Sequence, residues 1–332
     1  MELLSFWHDR DRLDEARTRG RALPVTGMLL AAGLGERMEP LSSFLPKPAL
    51  PVLGAPLLAS SLGALVAAGA RRVVVNLHRH PELVAQAVRQ LCPPVPVMFS
   101  YEPQLLGPAG GLAAARAAFG DGPVLVANAD CWSELDLAPL LASGSQERVV
   151  LGVVPHPDRG RWGAVHLDGA GRVVGFSGPG ENLEERGFLF TGFQLLGSET
   201  LALLPDPPAP MAAFWRPLME KGLLFGVEVK GVFREAGNPL AYRELVMEVL
   251  GEGVFASPLA AVSSTAHLAR TAVEAGAGVG PGASLSRCVL LPQAEVGAGA
   301  RLSGCVVAGP VPAGAVLEDA LVTPRGTFPL AA

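Results

Sequence analysis

From residue 25 to about residue 250 the chain alternates short apolar runs with stretches of helical periodicity. Val25 with residues 28–30, then 73–75, 95–101 and 124–127, read as buried strands. Between them, Leu58, Leu62, Leu65 and Val66 share one helical face, as do Leu83, Val84, Ala87, Val88 and Leu91. A Gly-rich turn leads into an alanine-rich helix over 111–119. That order predicts βαβ units and a mostly parallel sheet, hence an α/β fold. Shorter runs at 149–154, 162–166, 173–176 and 188–196 predict further strands, and a helix is expected over 239–250.

Beyond a stretch read as a linker, 251–258, the period changes. Val279-Gly-Pro-Gly-Ala-Ser-Leu285, Val296-Gly-Ala-Gly-Ala-Arg-Leu302 and Val311-Pro-Ala-Gly-Ala-Val-Leu317 share the frame V-x-x-G-A-x-L, offset by 17 and then 15 residues. Three positions past each leucine stand Cys288, Cys305 and Ala320, all small. A coil of this length buries one small or aliphatic residue per face and needs neighbours to stack on. The cysteines then act as fillers on adjacent coils and not as a redox pair. The expected organisation is a helical extension over 1–22, a main domain over 23–250 and a repeat domain over 258–332.

Composition narrows the function classes. At 332 residues, 49% hydrophobic and 17% charged, the chain suits a compact two-domain globule. A net charge of −5 argues against a nucleic-acid partner. The longest uncharged run, 48–70, is broken by Pro51 and Pro56, so a membrane span is not expected. Residues 1–22 are rich in acids where a secretory signal is basic and then apolar, and the four cysteines lack metal-ligand spacing. Both observations fit a cytoplasmic protein.

The chemistry concentrates in residues 28–56, MLLAAGLGERMEPLSSFLPKPALPVLGAP. After the first strand the backbone turns through Ala31, Ala32, Gly33, Leu34 and Gly35. Closely spaced glycines let bare N–H groups approach a ligand. Arg37 follows, and ten residues on Lys47 lies between Pro46 and Pro48, which stiffen its backbone. Backbone donors, a guanidinium and a positioned ammonium suit an anion carrying several phosphates. The third glycine of a Rossmann fingerprint is missing, since position 38 is Met, and no lysine follows a glycine as in a Walker motif.

The whole string, G-x-G-x-R-M-x-P-L followed by P-K-P-x-L-P-V-x-G-x-P, resembles the signature of the sugar-1-phosphate nucleotidyltransferases. Within them it is closest to the mannose-1-phosphate guanylyltransferases and the N-acetylmuramate-1-phosphate uridylyltransferases. The resemblance implies a Rossmann-like domain followed by a short left-handed β-helix of hexapeptide repeats, through which the chain assembles as a homo-oligomer. It implies transfer of a nucleotidyl group from a nucleoside triphosphate, GTP first, to a sugar 1-phosphate, mannose 1-phosphate first, with release of pyrophosphate. Arg37, Lys47 and Asp130 are then catalytic, and Asp130 with Glu235 holds Mg2+. Ala31, Ala32, Gly33, Gly35, Glu102, Gly110 and Gly111 meet the nucleotide; Gly163, Thr191 and Gly192 meet the sugar, covered by the 149–235 half of the domain. Trp132 and Trp215 read as packing residues, and Arg159 and Arg161 as solvated loop residues.

Four positions depart from the family pattern. Pro108 and Asn238 stand where threonines are expected, Ala129 replaces a glycine, and Glu235 replaces an aspartate. The family's sugar-side lysine has no counterpart near Phe176. These departures leave two alternatives: a non-catalytic nucleotide-sugar-binding regulator, and a uridylyltransferase acting on another sugar 1-phosphate.

Overall fold

A computed structural model describes residues 25–156, 162–181 and 187–330. The expected helix over 1–22, Arg159 and Arg161 lie outside them. The described residues form two compact units, each interrupted in sequence. A strand–helix unit runs to Gly33 and resumes over Leu58–Phe233; a coil unit joins Leu34–Leu57 to Arg234–Ala332.

The strand–helix unit is built on β1 (Thr26–Leu30), parallel to both β2 (Val73–Leu77) and β4 (Val124–Asn128). On the far side of β2 lies β3 (Val97–Tyr101), also parallel. After β4 the direction reverses. A two-residue turn, Ala129-Asp130, leads to β5 (Cys131–Asp136), and β4 pairs antiparallel with β9 (Gly187–Leu196). Strand β9 also pairs with β6 (Val149–Pro155) and β7 (Ala164–Leu167); β8 (Val173–Ser177) extends β7, and β10 (Leu224–Glu228) runs parallel to β6.

Helices α1 (Leu58–Ala67), α2 (Pro81–Gln90) and α3 (Gly107–Ala115) are the crossovers, followed by α4 (Ala138–Ala142) and α5 (Met211–Glu220). Met28, Val74, Val124 and Val126 pack with Ala109, Leu112, Phe214 and Leu218 in one core. The result is the expected α/β sheet, parallel in its central strands and mixed beyond β4. Strands β5 and β10 and helix α5 go beyond the sequence reading.

Last in this unit begins β11 (Lys230–Glu235), which carries the chain into the coil unit and leads to α6 (Pro239–Leu250). The tail is a β-helix of three parallel stacks. One stacks Phe255–Ala256, Ala272–Val273, Val289–Leu290, Val306–Val307 and Ala320–Thr323. The second begins at Ala261–Val262 and the third at His267–Ala269. The pairings Val279↔Val296↔Val311 and Leu285↔Leu302↔Leu317 place the sequence repeats in register, 17 and then 15 residues apart.

Cys288, Cys305 and Ala320 fill the interior with Leu290 and Val307. The first strand, Phe255–Ala256, falls inside the stretch expected as a linker. Its coil escaped the repeat because Thr265 stands at the glycine position of the frame. Ala272, Val289, Val306 and Leu321 alternate with interior residues, yet all are buried. Other parts of the same unit are tied to the coils and to one another by hydrogen bonds. Arg243 of α6, 4% exposed, donates to Gly304 O and Asp319 Oδ1, each at 2.6 Å. The Tyr242 hydroxyl donates to Pro51 O in the hairpin Pro51–Val52/Ala55–Pro56. The segment carrying Lys47 is thus folded into the β-helix unit.

Candidate active site

In the coil unit, Gly35 turns the chain with φ +66°, where a Cβ would press on Ser42 Cβ at 3.3 Å. Only glycine adopts this conformation at little cost. Two short 3-10 turns, Glu36–Met38 and Lys47–Ala49, then carry the two cations. Both reach one carboxylate: Arg37 Nη2 lies 3.0 Å from Glu235 Oε1, and Lys47 Nζ lies 3.9 Å from the same oxygen. Arg37 is 71% exposed and Lys47 only 7%. The exposed pair contributes little to stability, because water screens it and side-chain entropy opposes it. Lys47 differs: its side chain is buried, so its charge is screened far less. Asn238, three residues past Glu235, is the N-cap of α6, its Oδ1 accepting from Ala241 N at 2.8 Å. Asparagine caps a helix at least as well as threonine, which accounts for that departure.

In the strand–helix unit, Asp130 is half-buried in the β4–β5 turn, at the carboxyl end of a central parallel strand. Ligands of open α/β sheets gather at such ends. The turn is held by Ala129 N donating to Leu30 O at 3.0 Å and Ser61 Oγ donating to Asn128 O at 2.7 Å. Ala31 and Ala32 are buried, and Gly33 is exposed with open space where a Cβ would be. Pro108 sits in the first turn of α3, where a missing N–H costs nothing. The next two donors, Ala109 N and Gly110 N, both point at Ala209 O, at 3.2 and 3.1 Å. Gly110 and Gly111 are buried, and a Cβ on Gly111 would lie 2.7 Å from both Asn76 Nδ2 and Glu102 Oε1.

Glu102 is buried, with Asn76 Nδ2 donating to Oε1 at 2.7 Å and Leu106 N donating to Oε2 at 3.1 Å. Asn76, which the sequence reading passed over, accepts from Ala31 N at 2.7 Å. Its signal was a polar residue closing an otherwise apolar strand. Toward the other edge of the sheet, Thr191 is buried and its hydroxyl donates to Gly152 O at 2.7 Å, at a register shift in β9. Gly192 has φ +81°, with Asn128 side-chain atoms 3.1 Å from where its Cβ would be. Gly163 is exposed and closely faces Ser177 O, 2.6 Å from an added Cβ. Trp215 packs as expected, stacked on Phe176 and edge-on to Phe190. Among the described residues no group of three His, Cys, Asp or Glu side chains suits a metal, and no helix is long and apolar enough to cross a membrane.

The family model described as nucleotidyl transferase matches residues 26–178. N-acetylmuramate alpha-1-phosphate uridylyltransferase of Caulobacter vibrioides is 32% identical over 241 residues, which cover 66% of this chain and 94% of that protein. The chain belongs to the nucleotidyl transferase family. This nucleotidyltransferase is also 26% identical over 226 residues to the mannose-1-phosphate guanylyltransferase catalytic subunit beta of Danio rerio. That match covers 65% of this chain and 62% of the relative, so it spans less than two thirds of the fish protein. HddC from Yersinia pseudotuberculosis, 22% identical, shares the fold with a TM-score of 0.59 over 68% of this chain and 99% of that one. The two named relatives are sugar-1-phosphate nucleotidyltransferases of uridylyl and guanylyl type.

Proposed function

We propose that this cytoplasmic nucleotidyltransferase moves the guanylyl group of GTP onto mannose 1-phosphate and releases pyrophosphate. The observation that carries the chemistry is the convergence of Arg37 and the Lys47 of the P-K-P segment on one carboxylate, that of Glu235. A sugar-phosphate oxygen attacks the α-phosphorus as the bond to the pyrophosphate oxygen breaks. Such a step needs positioning and charge neutralisation more than proton transfer. Arg37 and Lys47 take the charge of the phosphates, and the 31–35 turn offers backbone donors. Gly110 and Gly111 border the base, while Gly163, Thr191 and Gly192 border the sugar. Asp130 and Glu235 offer the hard oxygen donors that suit Mg2+, which supplies charge neutralisation on the triphosphate. The β-helix is the surface through which copies of the chain assemble.

The guanylyl choice rests on the guanylyltransferase relative and on the string leading into a β-helix. A second reading, uridylyl transfer to N-acetylmuramate 1-phosphate, is favoured by the Caulobacter relative, which the chain matches over 94% of its length. Pyrophosphate release from ATP, CTP, GTP and UTP, each with mannose, glucose and N-acetylmuramate 1-phosphates and Mg2+, separates them. GTP with mannose 1-phosphate is expected to be fastest. A higher rate for UTP with N-acetylmuramate 1-phosphate replaces the first reading by the second. No turnover with any pair favours the regulator.

A further inference from the structure

The family resemblance places Glu102 among the residues that meet the nucleotide, where a carboxylate could read a base, but its surroundings point elsewhere. It is 1% exposed, and each carboxylate oxygen already accepts from a protein donor, Asn76 Nδ2 and Leu106 N. Its backbone is equally fixed, with Glu102 N donating to Leu77 O at 2.8 Å and His78 Nδ1 donating to Glu102 O at 2.8 Å. We infer that Glu102 and Asn76 form a positioning relay that fixes the Ala31 amide at the start of the phosphate-facing turn, and that Glu102 is not a base reader.

The relay follows from hydrogen-bond logic. Asn76, 2% exposed, offers one oxygen and one NH2. The Ala31 N–H needs an acceptor and the Glu102 carboxylate needs a donor, so one orientation of the amide satisfies both. A charge-assisted bond at 2.7 Å in a dry site is a strong constraint on that orientation. Strand register brings the parts together, since Leu30 pairs with Asn76 and Leu77 with Tyr101. Gly111 completes the arrangement, because any side chain there would occupy the space of the Asn76–Glu102 bond.

The inference rests on the proposed function only in taking the 31–35 turn to face the triphosphate. Its test therefore has two arms, run on the full chain with Glu102→Ala, Asn76→Ala, the double variant and Gly111→Ala. The last keeps both partners and raises helix propensity, so it tests the relay even where a truncation impairs folding. The first arm measures hydrogen exchange at the Ala31 amide without nucleotide. Each variant is expected to speed exchange by about tenfold or more, and the double variant no more than the single ones. The second arm measures kcat/KM of Glu102→Ala and Asn76→Ala for each accepted nucleoside triphosphate, which should fall by one common factor, about tenfold, with base preference unchanged. Unchanged Ala31 exchange in Gly111→Ala and Asn76→Ala overturns the relay, as does a tenfold change in base preference in Glu102→Ala. Should wild type turn over no pair, the function reading fails and the exchange arm alone decides the relay.

Discussion

The two units each bury one glutamate to 1% exposure beside candidate chemistry, Glu102 in the strand–helix unit and Glu274 in the coil unit. Both accept from backbone amides. Glu274 Oε2 takes Gly54 N at 3.0 Å, with Leu53 N beside it, and so pins the turn of the hairpin that follows Lys47. They differ in the second oxygen. Glu102 has a donor on each, whereas Glu274 Oε1 is buried without one. Burial pushes the Glu274 carboxyl up to about 7, although the Gly54 and Leu53 amides pull it down. The Tyr242 hydroxyl, raised by burial and then by Glu274, adds no compensating positive charge. The same residue type at the same depth can therefore have both oxygens fixed by donors or one left without.

The largest test of this contrast removes the β-helix. A chain ending at Leu250 loses Glu274, which holds the Gly54 turn, and the Gly304 and Asp319 partners of Arg243. It should retain the strand–helix core but show no cooperative unfolding of the 34–57 segment and no turnover, as followed by near-UV circular dichroism and pyrophosphate release. Full activity in that chain breaks the division into units.

Next in size is Lys47→Ala. Loss of a positioned charged donor is worth about 2–4 kcal/mol in a transition state, or roughly 30- to 1,000-fold in kcat/KM. Thermal stability should change far less. A variant within twofold of wild type removes Lys47 from the chemistry.

The pH response of Glu274 follows in size. Its folded value, about 7, lies above the usual 4.5, so the protonated acid favours the fold. Stability is fully present below pH 4.5 and is lost as pH rises to about 7, by an amount on the order of 3 kcal/mol. Urea melts of wild type and Glu274→Gln at pH 5 and pH 8 read this directly. The variant should lose most of that pH dependence, and an identical slope in both proteins refutes the assignment. The smallest effect is Asn238→Ala, about 1 kcal/mol from loss of the α6 cap, with Asn238→Thr recovering most of it.

Much of the fold was legible because its signals are local. The apolar runs of β1, β2 and β4 and the 17- and 15-residue offsets mark buried strands and stacked coils without tertiary knowledge. Helix α5 was hidden by Pro217 in its interior, although Met211, Phe214 and Leu218 carry helical spacing. Single residues of the candidate site, Arg37, Lys47 and Asp130, were legible as types within a motif. Their partners were not. That Glu235 is the counter-ion of Arg37, 198 positions away, depends on how β11 enters the coil unit. That Asn76 lies between Ala31 and Glu102 depends on the register of three strands. Glu274 sits in an unremarkable V-E-A-G turn and acquires meaning only from the hairpin laid over it.

The end of the β-helix has a consequence best put in the language of polymer growth. A stack of parallel coils is a template, and each exposed rung invites another like it. In one of the three stacks Gly326–Pro329 doubles back antiparallel on Ala320–Thr323, so that rung is already occupied. An incoming coil would find two open edges instead of three and could not pair in register with all of them. The hairpin acts as a chain terminator, stopping axial elongation into a fibre. The flank of the coils, with its exposed row of His267, Ser284, Arg301 and Val316, lies outside that constraint.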